Sequence, residues 1–122
     1  MLDHVTIGVG DVALSRKFYD LALAPLGIEC LYAESDVVGY GVKPNPFFWV
    51  GQRADPQTSV HIAFAAKDRA TVTRFHEAAL AAGGRDNGPP GFRPDYHPNY
   101  YAAFVFDPDG HNIEAVCHAP VG

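Results

Sequence analysis

A chain of 122 residues is long enough for one compact core, and 48% hydrophobic with 19% charged residues is the balance of a globular domain, not of a disordered segment. A formal charge of -5, with no run of Lys or Arg, excludes a chain built to hold nucleic acid or an anionic membrane surface. Cys30 and Cys117 make no disulfide framework, no apolar stretch reaches the roughly 18 residues of a membrane span, and the opening residues lack a secretion signal, so a cytoplasmic setting is expected.

The first predicted element is a strand over 2–8, in which Val5, Ile7 and Val9 form a bulky face and His4, Thr6 and Gly8 the opposite one. Asp11 then offers a cap to a helix whose apolar residues Leu14, Phe18 and Leu21 define a buried face, with Gly27 at its end. Strands follow over 28–33, 36–42 and 47–52, the last two joined by the Lys43-Pro44-Asn45-Pro46 turn. The second half repeats the first. Shifted by 57 positions, His4 falls on His61, and eight of the 24 positions from His4 to Gly27 are identical, where composition alone gives about two. A strand over 59–66 puts Val60, Ile62 and Phe64 on one face and His61, Ala63 and Ala65 on the other. The second helix, capped by Asp68, buries Val72, Phe75 and Ala79 and stops at Gly83-Gly84. Strands near Arg85, over 100–106 and over 111–118 complete the unit, with a turn at Asp107-Pro108-Asp109-Gly110. The predicted fold is a single α+β domain over 1–122. Its two βαβββ modules, about 1–53 and 58–118, pair into a cupped, barrel-like mixed sheet with helices outside.

Strand parity also selects the chemistry. On the last strand Glu114 shares its face with Asn112 and His118, while Ile113, Ala115 and Cys117 form the apolar alternative. Two imidazoles, His4 and His61, and the Glu114 carboxylate are a ligand set for a divalent ion with positions left open for substrate. The plainer reading makes all three polar residues of half-exposed sheet faces. Against it stand the equivalence of the two histidines in the repeat and the cost of burying a carboxylate without a cation. The segment 86–101, with four prolines, is predicted to be a long irregular loop. From it Tyr101 and His97 are candidate proton-transfer residues and Tyr96 a substrate contact. Thr6, Phe47, Trp49 and His118 are further candidates to line the cleft. His76 is expected on the solvated side of the second helix and His111 at the tip of a turn.

These features resemble the vicinal oxygen chelate superfamily, which contains glyoxalase I, thiol transferases of fosfomycin resistance, extradiol dioxygenases and bleomycin-sequestering proteins. The resemblance spans nearly the whole chain. It is carried by Asp3-His4-Val5-Thr6-Ile7, Ser15-Arg16-Lys17-Phe18-Tyr19, Val60-His61-Ile62 and, most specifically, Asp107-Pro108-Asp109-Gly110-His111-Asn112-Ile113-Glu114. It implies that His4, His61 and Glu114 hold a divalent metal, iron, manganese, nickel or zinc. Glyoxalase I adds a fourth ligand from the last strand of its first module, and Pro46-Phe47-Phe48-Trp49-Val50-Gly51 offers none, so the likeness points to dioxygenases or thiol transferases instead. The expected function is a metal-dependent enzyme acting on a small chelating molecule. The alternative is a metal-free protein that sequesters a drug or metabolite against Trp49, Phe47 and the loop tyrosines. Open sheet edges further predict a homodimer, with the modules paired within one chain or exchanged between two.

Overall fold

A computed structural model describes residues 1–120. In the first half, strand β1 (Val5–Val9) leads into helix α1 (Val12–Ala22), a 3-10 turn (Ala24–Leu26) and strands β2 (Glu29–Ala33), β3 (Val37–Val42) and β4 (Asn45–Gln52). The second half runs β5 (His61–Ala65), α2 (Arg69–Ala81), β6 (Arg85–Phe92), β7 (Tyr101–Phe106) and β8 (Asn112–Cys117). The halves have one topology: four-stranded mixed sheets ordered β1-β4-β3-β2 and β5-β8-β7-β6, each with a parallel pair formed by its first and last strands. The α+β class and the paired modules are therefore as the repeat predicts. The sheets stay separate, with β1 and β2 at the edges of one and β5 and β6 at the edges of the other, and no closed barrel forms among the described residues.

Both caps act as predicted: Asp11 accepts from the backbone N–H groups of Ala13 and Leu14, and Asp68 from that of Thr71. Val72, Phe75 and Ala79 are fully buried on α2. The face assigned to α1 needs correction, because Leu14 and Leu21 are 51% and 55% exposed while Val12, Ser15, Phe18, Tyr19 and Ala22 point inward. Ser15 and Tyr19 are drawn in by polar partners on the other module, a cause that apolar periodicity cannot reveal. Ser15 Oγ donates to Asp109 at 3.4 Å and Tyr19 OH to Asp107 at 2.5 Å. His76 also departs from expectation: it is buried, with Nε2 3.0 Å from Asp86 Oδ1.

The loop expected over 86–101 is shorter than predicted, because nearly half of it, 86–92, is strand. β6 runs through Gly88-Pro89-Pro90-Gly91 by shifting register between Asp86 and Gly88 and again between Gly88 and Gly91. An edge strand tolerates proline, since an N–H turned outward has no ladder partner to lose. The Asp107-to-His111 turn binds the modules together. Besides the two contacts to α1, Asp109 Oδ2 accepts from Gly10 N at 2.9 Å, and His111, buried, bridges Val60 N and the Gly8 carbonyl. Beneath this clamp the apolar faces of both sheets join one core, where Phe48 and Phe64 meet edge to face at 5.2 Å.

Candidate functional site

The face of the second sheet turned away from α2 carries the polar groups. Register pairs His61 with Asn112, Ala63 with Glu114, and Phe104 with Glu114, so these side chains share one side while Ile113, Ala115 and Cys117 enter the core. Glu114 is 1% exposed, and both of its oxygens are engaged. His61 Nε2, on a side chain 51% exposed, lies 2.8 Å from Oε1, and the Tyr100 hydroxyl donates to Oε2. Burial first, and the bond to Glu114 second, hold the Tyr100 phenol above the usual tyrosine range, so it stays protonated and remains the donor.

The loop after β6 closes over this face. Tyr100 stacks edge-on against His118 at 5.2 Å, and His118 in turn against His97 at 5.1 Å, so an aromatic and imidazole row extends from Glu114 to solvent. Tyr96 packs on Tyr100 at 5.1 Å. Beside Glu114, Asn87, Arg93, Tyr96, Phe104 and Asn112 line a hollow of about 240 Å³.

The structure thus brings His61, Glu114, His97, His118 and Tyr96 into one neighbourhood. His4 is not among them: it precedes β1, is exposed, and its Nδ1 pairs with Asp3 at 2.7 Å. Among the described residues of the single chain, no three His, Cys, Asp or Glu side chains are grouped to hold a metal ion. Tyr101 lies on the core side, opposite Cys117 in register, with the Arg69 guanidinium 4.9 Å from its ring centre. The hydroxyl that reaches the carboxylate belongs to its neighbour, Tyr100. Thr6 and Trp49 pair on the open face of the first sheet, where the Trp49 ring covers Gly39 and meets Tyr32 at 5.5 Å. Phe47 lines a separate apolar cavity of about 390 Å³ with Val5, Phe48, Ile62 and Phe64, to which neither His61 nor Glu114 contributes.

Sequence reasoning missed Tyr100, Phe104 and Arg93. A register was the missing signal: once Tyr101 is set opposite Cys117, alternation assigns Phe104 to the Glu114 face. Arg93 follows two glycines and two prolines that read as a turn, so no periodicity marked it.

The family model for the glyoxalase/bleomycin resistance protein/dioxygenase superfamily matches residues 1–115. The chain belongs to this superfamily. A glyoxalase/bleomycin resistance protein from Albidiferax ferrireducens T118 is 34% identical over 96% of this chain and 98% of its own, with a TM-score of 0.86. Two more distant structures share the superfamily fold. They are a glyoxalase-related enzyme from Fulvimarina pelagi (22% identity, 100% and 92% coverage, TM-score 0.72) and a glyoxalase/bleomycin resistance protein/dioxygenase family enzyme from Burkholderia phytofirmans PsJN (14%, 96% and 98%, 0.74). No functionally curated protein matches the sequence.

Proposed function

We propose that this superfamily member is a divalent-metal-dependent enzyme acting on a small chelating organic molecule, with His61 and Glu114 of one chain and His4 of a second copy as the metal ligands. Glu114 carries the reading. A carboxylate 1% exposed is costly to bury without a cation, and its partners are an imidazole and a phenol, not Lys or Arg. An imidazole nitrogen and a carboxylate oxygen 2.8 Å apart are close enough to share iron, manganese, nickel or zinc. His4 is the repeat equivalent of His61 and is exposed, and the edge strands of two open sheets favour a symmetric homodimer that would bring it to a second copy.

A bound ion supplies Lewis acidity toward an oxyanion developing on the substrate. The chain's own residues do the rest. Tyr100 keeps its proton and fixes the second oxygen of Glu114, which aims the first toward His61. His118 and His97 pack outward from Tyr100 to solvent, and His97 is the exposed group of that edge that would exchange a proton with substrate. Thr6 and Trp49, brought by the partner's first sheet, close the other wall.

The test is metal uptake by stripped protein, followed by calorimetry and elemental analysis with each of the four ions. About one ion per chain is expected, lost in Glu114→Gln and His61→Ala with the fold retained. Failure of the wild-type chain to take up any of them overturns the proposal. The chain then reads as a metal-free binding protein, for which the engagement of both Glu114 oxygens by His61 and Tyr100 already speaks.

A further inference from the structure

The hollow beside Glu114 is lined by a single cation, Arg93. Arg93 is half-buried and forms no ion pair among the described residues. Its Nη2 donates to the Pro89 carbonyl at 3.0 Å, which leaves most of its five N–H donors unused, and its guanidinium stacks over the Phe104 ring at 5.5 Å. The irregular β6 is what admits it. A side-chain carbon at Gly88 or Gly91 would come within 3.3 or 2.7 Å of the terminal guanidinium nitrogens. In the same hollow Asn112 Oδ1 accepts from Asn87 at 3.2 Å, and the Asn112 amide N–H groups have no acceptor among the described residues. A guanidinium fork set over an aromatic ring, lining one hollow with an amide whose donors are unused, is complementary to a carboxylate.

We infer that this hollow is a carboxylate subsite, in which Arg93 and Asn112 hold the acid group of a small anionic substrate whose body lies along Phe104 and Tyr96. The inference rests on the His61–Glu114 face as the reacting site, and adds to it the class of molecule that binds there. Asn112 and Glu114 are two residues apart on the same face of β8, about 7 Å, so the substrate is a short organic acid whose other end reaches His61 and Glu114.

The experiment is a nitrogen-15 NMR titration of metal-free protein with benzoate and malonate, against the neutral benzamide and malonamide. The acids are expected to give saturable shifts of the Arg93 Nε–H and of the Asn87 and Asn112 side-chain amides, and to bind at least about tenfold more tightly than the amides. Arg93→Gln is expected to remove that preference while leaving metal uptake unchanged. Equal binding of acid and amide, or an unaltered preference in Arg93→Gln, overturns the subsite. Should Arg93→Gln unfold the hairpin, Asn112→Leu decides instead: a loss of about threefold or more for the acids supports the subsite, and no loss overturns it. Carboxylate binding without metal uptake leaves the subsite standing and removes the metal; metal uptake without carboxylate preference does the reverse.

Discussion

Asp107 keeps its carboxylate inside the protein, where it accepts from the Tyr19 hydroxyl and from the backbone N–H groups of Asp109 and His111. Burial raises its pKa above the ordinary 3.8, and these hydrogen bonds oppose the rise. The folded chain therefore holds this proton more tightly than the unfolded one. The unfavourable contribution of the ionised group sets in as pH rises above 3.8 and is complete above the folded pKa. Tyr19→Phe removes one donor to the ionised form, so it is expected to cost about 1–3 kcal/mol near neutral pH and clearly less near pH 4. Urea unfolding at the two pH values measures the difference, and an equal cost at both would contradict the assignment. At this scale the sequence was legible where side-chain parity operates: His61 and Glu114 fall on one face by alternation alone. It was not legible for Tyr19 or Arg93, whose partners are fixed by contacts distant in sequence or by an irregular strand.

Elements show how far a repeat can be trusted. The caps Asp11 and Asp68 are equivalent in sequence and in action, and so are the parallel strand pairs β1/β4 and β5/β8. Gly27 and Gly84 are also aligned, yet they serve different physical needs. Gly27 adopts a φ of 76° with open space around it, the conformation that closes a helical turn, while the φ of 99° at the end of α2 belongs to Gly83. Gly84 provides room instead: a side-chain carbon there would lie 2.6 Å from the Phe18 ring and 2.9 Å from the Ala79 carbonyl oxygen. Gly84→Ala is therefore expected to destabilise the chain by about 1–3 kcal/mol through overpacking, whereas Gly51→Ala, with nothing within 4 Å, has no such clash. Thermal unfolding of the pair checks this, and equal stability would sink the packing explanation. The strand predicted near Arg85 is β6, but its run to Phe92 was hidden for a related reason, since the residues that bend it away from ladder geometry are those that signal a turn in a sequence.

For the whole molecule, the central expectation is a site shared between two chains. If His4 acts in trans, a dimer of His4→Ala chains and a dimer of Glu114→Ala chains each lack a complete ligand set. Mixing them after unfolding and refolding together produces heterodimers with one intact site. Metal uptake is then expected to recover to about a quarter of the wild-type level in an equal mixture, because about half of the dimers are mixed and each has one site of two. No recovery, with heterodimers demonstrated by mass, would exclude a partner-supplied His4. Light scattering that finds only monomer at high concentration would exclude the dimer itself.

The clamp between the modules has a direction. Asp107, Asp109 and His111 all reach from the second half into the first, toward Tyr19, Gly10, Ser15 and Gly8. Glu114 follows three residues behind His111 on the strand that these anchors hold. A chain assembled from two first halves would lack every one of these hooks, so what began as a doubled unit now has a left and a right hand that are no longer interchangeable.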